Sequence, residues 1–338
     1  MMYLVAFFTA CACALIASGI VIFFTKYYVS HVRRESGRSA AHVSRLGGVA
    51  MIIAFVSAVF FHPNLVIDRS WIVLLSALGA VAVLGLWDDL TPLSWRAQLF
   101  AQVAIALFIF GLGVRIDYVS SPFGGIIQFA SSDGFSWLSL IVGVVWIIAV
   151  MNTMNWLDGI DGLGGGVALI ASGALFATAL LPHVNQPPVA IAAAALAGAT
   201  IGFLILNWFP AHIIAGTSGS FFWGLLIAIL SIFAGAKIAT ALLVMIIPLV
   251  DAIWVIGERL YDGVNIFTPD KRHIHYKLLA RGWAPWQVAS LFIGIIGLVA
   301  FGAVRFNATG KGVVIGGIML LTIASLVYLR KGHKKEAL

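Results

Sequence analysis

Eleven long apolar runs occupy most of this chain, and that pattern leaves few folds open. About 20 mostly apolar residues suffice to cross a bilayer as a helix. Inside lipid, every backbone N–H and C=O must find its partner within the protein. The runs have approximate cores at 3–25, 47–67, 71–87, 97–114, 137–151, 165–182, 189–206, 220–235, 239–257, 287–304 and 312–329. They predict an all-α polytopic membrane protein with about 11 transmembrane helices, forming a single transmembrane domain over 1–338. Composition agrees. Of the residues, 62% are hydrophobic and only 10% charged, with a mean hydropathy of +1.06, whereas soluble domains carry about 25% charged residues. Cys11 and Cys13 are the two cysteines, both in the first run, which excludes a disulfide framework and leaves no basis for a cysteine metal site.

The net charge of +7 raises the question of nucleic acid, but the positions of the basic residues answer it differently. With alternating loops, one side carries Arg69, Arg115, Lys237, Arg305 and Lys311, and the other carries the remaining 15 of the 20 Lys and Arg. An excess of Lys and Arg marks the cytoplasmic side, so topology accounts for the charge and no nucleic-acid partner is expected. The first run has no basic residues before it and is followed by Lys26, Arg33 and Arg34. It therefore reads as a retained helix with its N-terminus outside, the C-terminus being cytoplasmic. On the outer side, residues 115–134 combine alternation with paired glycines and predict a small hairpin.

The polar motifs all fall on the basic side. They are Asp88 and Asp89 in "GLWDDLTPLSW", the stretch "NTMNWLDGIDGLGGG" at 152–166, "NWFPAHIIAGTSGS" at 207–220, and "TPDKRHIHYKLLARGW" at 268–283. Acids after an apolar helix gain nothing from the helix dipole, whose C-terminal end is already partly negative, so a cation is implied. Asn152, Asn155, Asp158 and Asp161 recur every three residues and would sweep about half the circumference of a continuous helix. The glycines at 159, 162 and 164–166 predict instead a helix ending near Asn155 and a tight loop that lets backbone approach a ligand.

Mg²⁺ is commonly held by one or two carboxylates, with phosphates and water completing its shell. Asp88, Asp89, Asp158 and Asp161 could hold it from two loops. Without a cation, two carboxylates about 4 Å apart repel by roughly 4 kcal/mol at an effective dielectric of 20. His273 and His275, among Lys271, Arg272 and Lys277 and near Asp270, suit phosphate contact better than metal ligation. Plain solvated loops are the alternative for each motif.

"NTMNWLDGIDGLGGG" resembles the Asn-x-x-Asn-x-x-Asp-Gly-x-Asp-Gly-Leu signature of the polyprenyl-phosphate N-acetylhexosamine-1-phosphate transferases, a superfamily that includes phospho-N-acetylmuramoyl-pentapeptide transferase. The paired acids, "FPAHIIAGTSGS", "PDKRHIHYKLL" and "RLGG" at 45–48 follow in that family's order, over nearly the whole chain. The resemblance implies transfer of a sugar-1-phosphate from a UDP-sugar to a lipid phosphate such as undecaprenyl phosphate, with release of UMP, at the cytoplasmic face of the bacterial inner membrane. It further implies a Mg²⁺ cofactor, with Mn²⁺ as an alternative, held by Asp88, Asp89, Asp158, Asp161 and the residue at Thr217. Asn152, Asn155, Arg45, Lys271, Arg272, His273 and His275 are the implied substrate contacts. A homodimer is compatible with it, and the glycan served, O-antigen among the options, is left open. An aspartate could deprotonate the lipid phosphate or form a covalent intermediate first.

Three positions depart from the family. Thr217 stands where a metal-ligating Asp is usual, His212 where a basic residue is usual, and Tyr276 where a histidine closes the His-x-His-His pattern. A weakly active or inactive relative is therefore one alternative. An ion-coupled transporter is another, for which only Asp251 sits well inside an apolar run.

Overall fold

The computed structural model describes residues 1–36, 43–121, 125–129, 136–235, 238–265 and 271–335. Arg38, Lys237 and Asp270 lie outside the described residues. Each of the eleven apolar runs carries a helix: α1 (Met2–Ser36), α2 (Gly47–Phe60), α3 (Arg69–Leu90), α4 (Trp95–Gly111), α5 (Trp137–Leu157), α6 (Leu163–Ala179), α7 (Pro187–Asn207), α8 (Gly216–Phe233), α9 (Ile238–Tyr261), α11 (Pro285–Arg305) and α12 (Ala308–Lys335). A short further helix, α10 (Ile274–Leu279), lies inside the histidine segment.

Eight of these helices are long and apolar enough to cross a membrane. The expected count of 11 is therefore supported only as a polytopic arrangement, because α2, α4 and α6 are shorter, at 14, 17 and 17 residues. At 1.5 Å per residue they are about 21–26 Å long, against a hydrocarbon core of about 30 Å. The apolar run at 47–67 outlasts its helix for a visible reason. Leu65, Val66 and Ile67 continue its hydrophobicity, but the helix stops at Phe60, shortly before Pro63, which lacks an N–H and disfavours helix in the residue before it.

Side chains start several of the helices. Asp68 accepts from the N–H groups of Ser70 and Trp71 at the head of α3, Ser94 from Ala97 N–H at α4, and Ser136 from Ser139 N–H at α5. The expected hairpin is present as antiparallel β1 (Tyr118–Ser120) and β2 (Ile126–Gln128), with Tyr118 opposite Gln128.

Helix α8 is the axis of the bundle. Every residue of it except Phe233 is buried, and it touches α2, α3, α5, α6, α7 and α9. Small residues permit this crowding: a Cβ at Gly48 on α2 would strike Gly219, and one at Gly85 on α3 would strike Ser218. The same device joins α7 to α1, where Gly198 and Gly202 leave room only for the backbone carbonyls of Phe7 and Cys11. Such small-residue seams replace hydrophobic driving force where lipid is the solvent. The two ends of α8 differ. Its C-terminal end carries Gly235, whose carbonyl accepts from the Tyr118 hydroxyl of the hairpin at 3.4 Å. Its N-terminal end faces the acids.

Candidate active site

Three helix ends meet at Gly216–Thr217–Ser218. Helix α3 ends there with Asp88 and Asp89, α5 ends at Leu157 with Asp158 following it, and α8 begins. A fourth element is brought in by backbone pairing. Ser44 bridges Ile213 in parallel, and the N–H groups of Gly47 and Gly48 donate to the carbonyls of Ile214 and Ala215. This stitch places Arg45 Nε 3.6 Å from Asp89 Oδ1. Gly216 has φ +69°, and a side chain there would strike both the Arg45 carbonyl and the Asp89 carboxylate. Only glycine meets the backbone sign and the space together.

The two adjacent acids are occupied by the protein itself. Asp88 Oδ1 accepts from Leu93 N–H at 2.7 Å and Gln98 Nε2 at 2.8 Å, and Oδ2 accepts from the Thr217 hydroxyl. Asp89 Oδ1 accepts from Thr217 N–H at 2.8 Å, and Oδ2 accepts from Ser218 N–H at 3.0 Å and Ser218 Oγ at 2.8 Å. A carboxylate so bound anchors the helix start of α8 as an N-terminal anion does. Thr217 thus spends its hydroxyl on Asp88.

Asp158 is placed differently. The chain breaks between α5 and α6 as the glycines predict, and Gly162 takes φ +75° as the cap of α6. Asp158 sits half-buried at the start of that turn. Burial holds its carboxyl well above the usual carboxylate range, and the charges of Asp89 and Asp161 push the same way, against the Gly216 N–H and Arg45. Asp161 Oδ2 accepts from Ala211 N–H at 3.0 Å. Asn207, the first residue of the 207–220 motif, ties the turn to its neighbour by accepting from Gly162 N–H at 3.1 Å and donating to the Ile213 carbonyl at 2.8 Å. The asparagines of the motif face other helices. Asn152 pairs with Gln102 at 2.6 Å, and Asn155 donates to Ser220 Oγ at 3.1 Å.

Helix α10 closes the other flank. His273 Nδ1 lies 2.8 Å from Asp251 Oδ2, and Ile274 N–H donates to Asp251 Oδ1 at 2.9 Å. Asp251, the acid that sits well inside an apolar run, is thereby engaged through both oxygens in docking the loop. Trp156 stacks on His273 at 5.7 Å, and the His273 and His275 rings lie parallel at 5.6 Å. Of the basic residues here, Arg272 is paired with Asp262, Lys277 with Glu258 at 3.5 Å, and Lys271 is exposed. Burial, with His273 beside it, pushes the His275 imidazole down to about 3. Tyr276 lies near enough to Asp158 for that carboxylate, after burial, to raise its phenol.

Among the described residues, no three His, Cys, Asp or Glu side chains form a group that could hold a metal ion. The four aspartates therefore do not make an all-protein cage. Asp158, whose charge burial disfavours, with Asp161 beside it, fits the other kind of Mg²⁺ site, in which one or two carboxylates are completed by phosphate and water.

Comparison with known proteins identifies the family. Glycosyl transferase family 4 matches residues 71–235, a stretch containing the acids, the glycine turn and the start of α8 but neither Arg45 nor α10. The chain is 31% identical to decaprenyl-phosphate N-acetylglucosaminephosphotransferase of Mycobacterium tuberculosis, over 88% of its own length and 82% of that protein. It is 29% identical to the probable undecaprenyl-phosphate N-acetylglucosaminyl 1-phosphate transferase of Bacillus subtilis, over 75% and 70%. With phospho-N-acetylmuramoyl-pentapeptide-transferase of Geobacillus kaustophilus it shares 27%, over 77% and 83%. The chain belongs to glycosyl transferase family 4, among the polyprenyl-phosphate sugar-1-phosphate transferases, and is a phosphotransferase.

Proposed function

We propose that this enzyme transfers an N-acetylhexosamine-1-phosphate from a UDP-sugar to undecaprenyl phosphate at the cytoplasmic face of the bacterial inner membrane, starting a lipid-linked glycan. An oxygen of the lipid phosphate attacks the β-phosphorus of the donor. The bond from that phosphorus to the bridging oxygen breaks, UMP leaves with the electron pair, and the sugar phosphate becomes the outer half of a lipid pyrophosphate. The observation that carries the reading is the contrast among the acids. Asp88 and Asp89 are bound by protein donors through both oxygens, whereas Asp158 sits at a glycine turn with like charges for neighbours. Mg²⁺, or Mn²⁺ in its place, held by Asp158 and Asp161 would neutralise the pyrophosphate and the leaving UMP. In this reading Asp158 or Asp161 would hold or take the lipid-phosphate proton, with Arg45 available to an anion from its exposed side. The apolar walls offer a lane for the prenyl tail, each buried CH₂ contributing about 0.8 kcal/mol.

The purified chain, given undecaprenyl phosphate, Mg²⁺ and a panel of UDP-sugars, is expected to release UMP with one N-acetylhexosamine donor and to form lipid-linked product. Absence of UMP with every donor would overturn the reading. Orientation is tested separately. With the N-terminus outside and the basic C-terminus cytoplasmic, a C-terminal fusion to a reporter active only outside the membrane is expected to stay silent. Strong reporter activity would place the acids on the side that holds no nucleotide sugar.

A further inference from the structure

Helix α4 carries two glutamines one turn apart, Gln98 and Gln102, and each reaches a different acid-bearing helix. Gln98 donates to Asp88 near the end of α3 at 2.8 Å. Gln102 pairs with Asn152 of α5 through both arms of its amide. Asn152 Nδ2 donates to Gln102 Oε1 at 2.6 Å, and Gln102 Nε2 donates to Asn152 Oδ1 at 3.5 Å. Asn152 Nδ2 also donates to the Ile148 carbonyl at 2.9 Å, so both its N–H groups are used inside the protein. Gln102 is 1% exposed, and the other buried residues of α4, Ile105, Ala106, Ile109 and Phe110, are all apolar.

A buried amide left without partners costs about 1–3 kcal/mol, whereas an apolar pair of the same shape is about as stable as the bonded one. Stability therefore does not call for amides at this place. What hydrogen bonds add is direction, because they fix the distance and the angle at which two helices meet. Three residues further along α5, Asn155 donates to Ser220 Oγ of α8 at 3.1 Å. Helix α5 is thus held against turning from two sides, shortly before it ends at Leu157. Asp158 is its C-cap and turns with it. A side chain reaches about 5–6 Å from a helix axis, so a roll of about 10° displaces its tip by about 1 Å. A misplacement of that size can cost about a hundredfold in rate.

We infer that Gln102 is a positioning residue for sugar-phosphate transfer: its amide pair with Asn152 fixes the roll of α5 and hence the place of the Asp158 carboxylate. Asn152 then acts through Gln102 and not by touching the donor. This role rests on the proposed transfer reaction, with Asp158 in its chemistry.

Release of UMP from UDP-N-acetylglucosamine with undecaprenyl phosphate as acceptor, measured beside thermal unfolding, tests the pair in three variants. These are Gln102→Leu, Asn152→Gln, and the exchange that combines Gln102→Asn with Asn152→Gln. The exchange moves one CH₂ from one side chain to the other and keeps their summed length. Each single variant is expected to lower kcat about tenfold or more with the donor KM within about twofold, as when a reacting group is misplaced and binding is not. The exchange is expected to bring kcat back to within about threefold of the unaltered protein, the coupling of two side chains in contact. Unchanged kcat in either single variant, or a fall in Tm alone, would overturn the inference and leave the pair a structural one. A raised KM in Asn152→Gln that the exchange does not recover would overturn it in favour of a donor contact by Asn152. Should Gln102→Leu fail to fold, recovery or its absence in the exchange still decides. If the unaltered protein releases no UMP from any UDP-sugar, the transfer reading fails and this role with it. An active unaltered protein whose exchange variant does not recover overturns only the role of Gln102.

Discussion

Asp158→Asn is expected to cut turnover at least a hundredfold, about 2.7 kcal/mol in the barrier, while leaving the protein as stable as before or more so. The stability half of this result follows from sign. A carboxyl whose folded pKa exceeds its unfolded value costs nothing at low pH. It destabilises progressively as pH rises from the ordinary carboxylate range through the raised value. Asp158 is such a group, raised by burial and then by Asp89 and Asp161, and Asn carries no such cost at pH 7 to 8. Asp89→Asn should behave otherwise. Asp89 accepts from two N–H groups and a hydroxyl of α8, and an amide replaces one of those acceptor oxygens with a donor. Both turnover and Tm are expected to fall in that variant. Measuring UMP release and thermal unfolding for the pair distinguishes a reacting carboxylate from an anchoring one. Full activity in Asp158→Asn, or a loss of activity matched by a fall in Tm, would remove Asp158 from the chemistry.

That distinction between the acids could not be read from the sequence, although their importance could. The helix break before Asp158 was legible because spacing and glycines are local. The partners of Asp88 and Asp89 are not local. Thr217 and Ser218 reach them from 129 positions away, through a meeting of helix ends that hydrophobic periodicity does not encode. The ion pairs of the histidine segment are hidden for a related reason. Arg272 and Lys277 are legible as basic residues, but their partners Asp262 and Glu258 lie at and just beyond the end of α9, on a separate stretch of chain. Asn207 gave no signal of its own, and Tyr276 gave one only as a departure from the family pattern. Each matters through a backbone group or a glycine in the turn between Asp158 and Gly162, which only the packed structure brings within reach.

Thr217→Asp puts the placement of residue 217 beside the metal to the test. Thr217 is buried, donates its hydroxyl to Asp88 and sits in the first turn of α8. An acid there removes a donor from Asp88 and sets a second carboxylate against it, at a cost of about 4 kcal/mol for charges some 4 Å apart at an effective dielectric of 20. The helix dipole returns only about 0.3–1 kcal/mol of that. In the absence of a divalent cation the variant is therefore expected to melt at a lower temperature than the unaltered protein. If residue 217 lies beside the Mg²⁺ held by Asp158 and Asp161, the ion converts the same repulsion into attraction, since the added carboxylate supplies the hard oxygen ligand that Thr217 cannot. The variant is expected to gain more in Tm from added Mg²⁺ than the unaltered protein, and to reach half-maximal UMP release at a lower Mg²⁺ concentration. If the parent chain is inert, activity should appear in the variant. A competing outcome is that the pocket has closed around the Thr217–Asp88 hydrogen bond, so that the added charge merely repels the pyrophosphate. Titrating Mg²⁺ against both Tm and UMP release tells the two apart. A response to Mg²⁺ no stronger than that of the parent would show that residue 217 holds Asp88 in place and takes no part in binding the metal.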